Sequence, residues 1–219
     1  MLSEMKETQA GASQAARGML VVVSSPSGGG KGTLIQRALK TVPDLGYSVS
    51  FTTRLPREDE VNGRDYHFIS VTEFQMMIEA GEFLEWAHVH GQLYGTGRSQ
   101  VAREVAAGRD IILEIDTQGA KSVRGLVNDA VSIFILPPSY EVLRERLTGR
   151  GSERPDEIAL RLSNARGEVE QYREFDYVVL NDDADRAAAQ LAAIIYAERA
   201  RRERQERVAR AVLASFPGV

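Results

Sequence analysis

The chain has 219 residues, no cysteine, three histidines, and 27 Lys and Arg against 31 Asp and Glu, for a formal net charge of -4 at pH 7. This balance argues against a general nucleic-acid binder, the missing thiols exclude disulfides and thiolate metal sites, and the scattered histidines do not form a zinc site. Apolar runs are far shorter than the ~20 residues of a membrane span, so we expect a cytoplasmic protein with neither a membrane nor a nucleic-acid partner.

Residues 1–18 are small and polar, lack apolar periodicity, and predict a disordered extension ahead of a single domain over 19–219. From Met19 onward, short apolar runs alternate with helical patterns. The predicted strands are "MLVVVSS", "DIILEID", "VSIFILPP" and "YVVLND", continuous runs typical of strands buried on both faces of a parallel sheet. The predicted helices cover 33–40, 71–80, 140–147 and one long tail from Asp185, in which "ERARRERQER" is interpreted as a solvated face. This alternation indicates an α/β doubly wound parallel sheet.

Two stretches interrupt the alternation. Residues 47–98 contain "YSVSFTTR" and "DYHFIS", which predict antiparallel-type strands separated by a turn, and so a small inserted lobe. Residues 149–170 begin with a glycine-flanked segment and enter a helix near Pro155, a pattern that suggests a mobile, arginine-bearing lid. The core would then consist of 19–46, 99–148 and 171–219.

The stretch "SSPSGGGKGT" at 24–33 nearly matches the phosphate-binding loop G-x-x-x-x-G-K-[ST]. It follows a predicted strand and opens a predicted helix, which is the context that such a loop requires. Backbone N–H groups of Gly28, Gly29 and Gly30 would wrap phosphate oxygens, while Lys31 supplies a formal positive charge. The pattern therefore predicts binding of a nucleotide polyphosphate, and a glycine-rich turn without a ligand is the alternative.

The loop departs from the pattern at two positions. Ser25 replaces the first glycine and need only be small, whereas Gly32 removes the hydroxyl that usually binds Mg²⁺. Thr33, one residue on, is the nearest candidate ligand. Because Mg²⁺ keeps several waters and binds largely through substrate phosphates, we expect it to be held mainly by phosphates and water.

A second set of residues predicts another anion site. Arg54 and Arg57 lie close to Tyr66 in the inserted lobe, and Arg forks bind phosphate oxygens in a bidentate manner. A surface salt-bridge patch is the alternative for the arginines alone. The same lobe also carries Glu85, Tyr94 and Thr96, and the strand "DIILEID" ends with Glu114 and Asp116, which would lie beside the metal and phosphates.

Several motifs together resemble the guanylate kinase family. In that family's order, they are "SSPSGGGKGTL", "SVSFTTRLPREDEVNGRDYHFIS", "GEFLEWAHVHGQLYGT", "ILEIDTQGAKSV", "RLTGRG", "RLSNAR" and "FDYVVLNDD". The resemblance runs from about Met19 to Tyr196. It implies a P-loop core with a GMP-binding lobe and a lid, and transfer of the γ-phosphoryl group of ATP to GMP and dGMP with Mg²⁺ in purine metabolism.

The resemblance also implies residue roles. For ATP they are carried by Ser25, Pro26, Ser27, Gly28, Gly29, Gly30, Lys31, Gly32, Thr33 and Asn181. For GMP they are carried by Ser50, Glu85 and Thr96 at the base, by Arg54, Arg57, Tyr66 and Tyr94 at the phosphate, and by Asp116 between the substrates. Catalytic roles fall to Lys31, Arg54, Asp116 and the lid residues Arg150 and Arg161, with Arg166 a weaker candidate.

Two alternatives to this function are weighed. A P-loop kinase for another small phosphorylated acceptor would keep the phosphate loop but alter the base-reading residues, and Glu85 with Thr96 argues against it. A non-catalytic guanylate-kinase-like interaction module would not need Lys31, the loop glycines and the lid arginines together. The three histidines are interpreted as structural, and the oligomeric state stays open.

Overall fold

The computed structural model describes residues 17–89, 91–149 and 155–217. Most of the predicted extension, residues 1–16, lies outside the described residues, as do Arg150 and His90. Gly18, the last residue of that predicted extension, donates its backbone N–H to the Val105 carbonyl at 2.9 Å. Gly18, the second of the described residues, is therefore already hydrogen-bonded to the domain.

The described part of the chain contains nine strands and eight α-helices. The strands are β1 Leu20–Ser24, β2 Leu45–Tyr47, β3 Phe51–Thr52, β4 His67–Phe68, β5 Phe83–Val89, β6 Gln92–Gly97, β7 Asp110–Glu114, β8 Val131–Leu136 and β9 Tyr177–Leu180. The helices are α1 Lys31–Thr41, α2 Val71–Glu79, α3 Arg98–Ala106, α4 Thr117–Leu126, α5 Tyr140–Thr148, α6 Pro155–Glu170, α7 Ala184–Arg199 and α8 Arg202–Ala214. A short 3₁₀ helix, Gln171–Glu174, follows α6. The helices predicted over 33–40, 71–80 and 140–147 are confirmed as α1, α2 and α5.

A five-stranded parallel sheet forms the core, in the order β2-β7-β1-β8-β9. In β1, Val21 and Val23 pack in one hydrophobic cluster with α1 and α7, while Leu20 and Val22 pack in a second cluster with α3 and α4. Alternating side chains thus bury both faces of the sheet beneath helices. The predicted α/β fold with a parallel core is confirmed.

Strand β9 differs from the prediction of strands buried on both faces. It lies at the edge of the sheet, where only Val179 is buried, while Val178 and Leu180 are 46% and 43% exposed. The apolar run "YVVL" has the composition of a central strand, and its position at the edge leaves one face open. Composition does not distinguish these two positions in a sheet.

The inserted lobe contains a four-stranded sheet in the order β4-β3-β6-β5. The predicted antiparallel relation between the first two strands is wrong, since β3 and β4 pair in parallel, with Phe51 opposite His67. Strand β3 instead pairs antiparallel with β6, and β6 with β5. The long connection between β3 and β4 allows the chain to return to the same end before it pairs, whereas a tight hairpin would have forced the antiparallel arrangement.

The tail is two helices, α7 and α8, and the prediction of one long helix from Asp185 is wrong. The charged segment is also only partly solvated, because Glu198 is 2% exposed and accepts a hydrogen bond from the Tyr177 hydroxyl at 2.5 Å. Arg199 pairs with buried Asp110 at 2.6 Å. These two residues fasten α7 to the parallel sheet, and α8 has no buried residue.

Helix α6 packs on α5 through a small separate cluster. Leu143 and Leu147 of α5 contact Ala165 of α6, with Ile158 and Leu162 half-buried around them. The described part of the predicted lid is therefore joined to the core by its own apolar contacts. No helix in the described part of the chain has both the length and the apolar character that a membrane span requires.

Candidate active site

A cavity of about 1010 Å³ opens at the carboxyl edge of the parallel sheet, between β1, β7, the inserted lobe and α6. In parallel sheets this edge is the usual ligand site. The predicted residues that line it are Ser25, Ser27, Gly28, Gly29, Gly30, Lys31, Gly32, Thr33, Ser50, Arg54, Arg57, Tyr66, Glu85, Tyr94, Glu114, Asp116 and Arg161. Pro26, Thr96 and Asn181 are not part of this lining, although each forms a hydrogen bond with a residue that is.

The phosphate loop depends on glycine conformations between β1 and α1. Gly28 and Gly30 have φ values of 82° and 89°, which side chains other than glycine rarely adopt. A Cβ at Gly30 would also lie 2.4 Å from Asn181 Nδ2. The Gly29 N–H, one of the predicted phosphate donors, donates to the Pro26 carbonyl at 2.9 Å and so closes the turn in this structure.

Two side chains from distant elements hold the loop from behind. Asn181 is 4% exposed and donates through Nδ2 to the Gly29 carbonyl at 2.8 Å. Arg146 donates to the Asn181 carbonyl at 2.9 Å and to the Gly29 carbonyl at 3.4 Å. Sequence reasoning did not identify Arg146, and it expected Asn181 to contact adenosine. Asn181 and Gly29 are 152 positions apart, and no local sequence pattern predicts a contact over that distance.

The Glu114 carboxylate lies beside the start of α1. Its Oε1 is 3.7 Å from Lys31 Nζ, and its Oε2 accepts a hydrogen bond from the Tyr47 hydroxyl at 3.1 Å. Burial and the Glu114 charge raise the pKa of Tyr47, so this phenol stays a proton donor. A Cβ at Gly32 would approach Glu114 Oε1 to 3.3 Å, so the missing side chain at this position leaves room for the carboxylate next to the loop.

The residues of the second predicted anion site lie together on the inserted lobe. Arg54 binds the Glu60 carboxylate through both Nη atoms, at 2.9 and 2.8 Å, and the Arg57 backbone N–H donates to the same carboxylate at 2.7 Å. These hydrogen bonds, led by that of Arg54, hold the pKa of Glu60 below its usual range. The Arg54 guanidinium lies over the Tyr66 ring, with its central carbon 5.4 Å from the ring centroid, which is a cation–π contact. Arg54 and Arg57 therefore pair with Glu60 and also line the cavity. Sequence reasoning did not identify Glu60.

A buried carboxylate lies between the inserted lobe and β7. Glu85 of β5 is 6% exposed, and its Oε1 accepts a hydrogen bond from the Thr96 hydroxyl at 2.5 Å. Burial raises the pKa of Glu85 to about 7, and the charge of Asp116 adds to the shift while the Thr96 bond opposes it. Asp116 caps α4 by accepting the Gly119 N–H at 2.9 Å. A Cβ at Gly119 would lie 2.5 Å from Glu85 Oε2, so glycine is required there for close approach.

Helix α6 brings one predicted arginine to the cavity. Arg161 donates to the Ser27 hydroxyl of the phosphate loop at 3.1 Å. Arg166, the weaker candidate, instead points to solvent and pairs with Glu170 at 3.2 Å. Two further charged residues, Lys121 and Glu168, line the cavity without having been predicted, and their spacing from the known motifs gave no signal for them.

The fold and this cavity define a nucleotide-binding protein of the P-loop class, with an arginine pair of the inserted lobe and a buried carboxylate lining the same cavity as the phosphate loop. The family model described as guanylate kinase matches residues 17–198. The chain belongs to the guanylate kinase family.

Similar proteins extend over most of the chain. A guanylate kinase of Dechloromonas aromatica is 51% identical over 180 residues, which are 82% of this chain and 89% of that relative. One of Xanthomonas euvesicatoria is 49% identical over 190 residues, 87% of this chain and 94% of that relative. The crystal structure of guanylate kinase from Anaplasma phagocytophilum is similar with a TM-score of 0.73 and 33% identity, and covers 88% of this chain and 96% of that one. The family predicted from the motifs is confirmed, and neither alternative function is favoured.

Proposed function

We propose that the protein transfers the γ-phosphoryl group of ATP to GMP, giving ADP and GDP, in purine nucleotide metabolism. The observation that carries this proposal is the shared cavity, which joins the phosphate loop, the Arg54 site and buried Glu85 in a space of about 1010 Å³. That volume lies at the upper end of the usual range for ligand cavities. The curated relatives named guanylate kinase support the same reaction.

The donor polyphosphate is proposed to bind at the start of α1. Backbone N–H groups there point to the cavity with the positive end of the helix dipole, and Lys31 adds a formal charge. Lys31 is only loosely paired with Glu114, at 3.7 Å, so its ammonium is available to bound phosphate. Arg161 adds a second cation beside the loop, where it donates to the Ser27 hydroxyl at 3.1 Å.

The acceptor phosphate is proposed to bind at Arg54 and Arg57, with the Tyr66 and Tyr94 hydroxyls as further donors. In the structure Glu60 engages Arg54 with two parallel bonds, the same fork geometry that a phosphate requires. Glu60 therefore holds the guanidinium in the lobe, and Arg57, whose side chain is about half exposed, can turn toward a ligand.

The guanine base is proposed to bind at Glu85. Guanine presents two neighbouring donors, N1–H and the 2-amino group, which one ionised carboxylate can accept together. Adenine presents an N1 lone pair at that edge, which would face the carboxylate and leave a buried charge without a partner. Thr96 orients the carboxylate, and Ser50 lines the same part of the cavity.

The chemistry requires alignment more than proton transfer. The attacking oxygen belongs to a phosphate that is already ionised near neutral pH, so a general base is unnecessary. Two polyanions must be brought together in line, and charge on the transferred group must be stabilised. Lys31, Arg54 and Arg161 are placed around one cavity to do both.

Mg²⁺ is proposed as the accompanying ion, bound mainly through nucleotide phosphates and water. The residues near the loop fit this ion, because the Glu114 and Asp116 carboxylates and the Thr33 hydroxyl are hard oxygen donors in the cavity wall. Among the described residues no group of three acidic, His or Cys side chains forms a metal cage. When bound, the ion would neutralise charge on the β- and γ-phosphates.

Because this reaction draws on ATP and GMP, we also propose that the protein works in the cytoplasm.

A coupled assay of ADP release with ATP and GMP, AMP, CMP or UMP tests the proposal. We expect activity with GMP that exceeds activity with AMP by roughly 10⁴ in kcat/KM, and loss of activity when EDTA removes divalent metal. Glu85→Gln should reduce kcat/KM for GMP at least about tenfold and narrow the GMP-to-AMP ratio. Equal use of all four acceptors, or an unchanged ratio in the variant, would refute the assignment of the base site.

A further inference from the structure

Two side chains of helix α6 form hydrogen bonds to Ser27 of the phosphate loop. The Glu168 carboxylate accepts a hydrogen bond from the Ser27 backbone N–H at 2.9 Å. Arg161 donates to the Ser27 hydroxyl at 3.1 Å. The paired residues are 141 and 134 positions apart, so both contacts exist only in the folded chain.

The two side chains share one face of α6. Arg161 and Glu168 are seven residues apart, or two helical turns, and therefore point in the same direction. Ala165 lies between them and is buried against α5. Leu147 of α5 in turn borders the loop, since a Cβ on Gly28 would lie 3.0 Å from its side chain. Apolar packing and polar contacts of α6 thus converge on the same few loop residues.

We infer that Glu168 is a positioning residue for phosphoryl transfer, which fixes α6 to the Ser27 amide and thereby holds Arg161 beside the donor phosphates. This inference rests on the proposed function. A carboxylate next to a polyphosphate site raises the local negative charge and disfavours nucleotide binding, so a role in geometry must outweigh that repulsion. A charge-assisted bond to a backbone N–H is roughly twice as strong as a neutral one, which makes it a suitable anchor.

The position of Ser27 in the loop supports an anchor over a competitor for phosphate. Ser27 precedes the glycines, whereas the phosphate donors expected from helix geometry are the amides that open α1, from Gly30 onward. Glu168 can therefore stay bound to the Ser27 N–H while those amides receive phosphate. Its bond reaches the loop from the same side as Arg161, whose guanidinium it would keep near the transferred group.

The same helix supplies a matched control. Glu170, two residues beyond Glu168, is exposed and pairs with exposed Arg166 at 3.2 Å. It has the same charge and lies in the same helical turn, but it does not line the cavity. Glu170→Ala should change neither kcat nor KM.

The experiment compares steady-state ADP release by the full chain carrying Glu168→Ala, Glu168→Gln or Glu170→Ala. We expect Glu168→Ala to lower kcat about tenfold while KM for ATP and for GMP stays within about threefold, because a displaced Arg161 affects the transition state most. Glu168→Gln, which keeps an acceptor without charge, should fall between wild type and Ala. In an Arg161→Ala background, Glu168→Ala should cause little further loss, since the two residues act as one unit.

Three results would overturn the inference. A lower KM for ATP with unchanged or higher kcat in Glu168→Ala would show that the carboxylate competes with nucleotide. A full tenfold loss in the Arg161→Ala background would show that Glu168 acts independently of Arg161. Unchanged kinetics would show no role in the reaction.

A readout without nucleotide tests the anchor itself. Amide hydrogen exchange in α6 should accelerate in Glu168→Ala and not in Glu170→Ala, while exchange in α7 is the same in all three proteins. Equal protection of α6 in every variant would mean that the bond does not anchor the helix. Failure of the wild-type chain to phosphorylate GMP would instead refute the proposed function, whatever the exchange data show.

Discussion

The phosphate loop and the Arg54 site both line one cavity, yet they are built in different ways. The loop uses backbone amides, whose direction depends on glycine φ values of 82° and 89°. The Arg54 site uses guanidinium groups, whose direction depends on a partner carboxylate, Glu60, at 2.8 to 2.9 Å. A backbone site is therefore vulnerable to an added side chain, and a side-chain site is vulnerable to a lost or altered one.

The two sites also differ in how their charge is balanced before a ligand binds. Lys31 is 3.7 Å from Glu114, whereas Arg54 is held by a bidentate pair that raises its pKa further above its ordinary value. The phosphate loop thus presents a loosely paired cation and the Arg54 site a tightly paired one. The following three substitutions and one pH profile test the two sites, in order of decreasing effect.

The largest effect is expected from Lys31→Met, which keeps side-chain length and removes the ammonium. We expect kcat to fall about 1000-fold, because a charge aimed at the transferred phosphoryl group is lost, while the melting temperature stays close to that of wild type. Steady-state kinetics and thermal unfolding measure the two quantities. Lys40→Met, on the exposed end of the same helix, should leave both unchanged, and near-normal turnover of Lys31→Met would refute the role given to the loop lysine.

Gly30→Ala should have the next largest effect, because it tests the backbone nature of the loop. The new Cβ would meet Asn181 Nδ2 at 2.4 Å and would sit at a φ of 89°, so the loop must shift. A shift of about 1 Å in a catalytic element can lower kcat/KM about 100-fold, and we expect a loss of that order for ATP.

Gly63→Ala is the matched control for that substitution. Gly63 has a φ of 81°, but a Cβ there would have no neighbour within 4 Å. Alanine at Gly63 would therefore have a backbone strain similar to that of alanine at Gly30, but its Cβ would contact no neighbouring atom. If both alanine variants lost ATP activity equally, backbone strain alone would explain the result and the close approach of Asn181 would be irrelevant.

Arg54→Lys should have a smaller effect, confined to the acceptor side. Lysine keeps the positive charge but lacks the planar fork, so it cannot bind Glu60 and a phosphate in the way that arginine does. Loss of about one charge-assisted hydrogen bond predicts a roughly tenfold rise in KM for GMP with KM for ATP unchanged. Arg64→Lys, at an exposed pair with Asp65 in the same lobe, is the control. A rise in KM for ATP instead would assign Arg54 to the donor.

The smallest effect is a pH dependence at Glu85. Its pKa is raised to about 7 in the free protein, and GMP requires the ionised form, so protonation below pH 7 should weaken GMP binding. We therefore expect kcat/KM for GMP to fall as the pH decreases, by roughly fivefold between pH 7 and pH 6 for a single group with that pKa. The phosphate of GMP titrates in the same range, and Glu85→Gln isolates that contribution. If the pH profile were the same in wild type and variant, Glu85 would not be the titrating group.

Much of the phosphate loop was predictable from the sequence because its determinants are local. A strand, a glycine-rich turn, a lysine and a helix follow one another within 20–41, and glycine conformations and helix geometry act over a few residues. The same is true of the burial of β1 on both faces of the sheet and of helices α1, α2 and α5. The motif order also sufficed to predict the family.

Partners from distant parts of the chain were not predictable in this way. Sequence reasoning did not identify Glu60, although it lies only six residues from Arg54. An Arg and a Glu at that spacing are not distinctive in a sequence, and only the structure shows that the Arg54 that Glu60 binds lines the cavity. Arg146 and Glu168 reach the loop across 117 and 141 positions. No periodicity in the sequence reports such contacts.

The sequence by itself determined the class of site and most of its residues, because hydrogen-bonding groups, charge and backbone freedom belong to residue types. Only the tertiary structure decided that β9 lies at an edge, that β3 and β4 run parallel, and that the tail breaks into α7 and α8. It also decided that Glu85 is buried, which raises the pKa of a residue whose surroundings come from β6 and α4. Burial and pairing are properties of the packed chain, and the physical reason is that they depend on which distant segments meet.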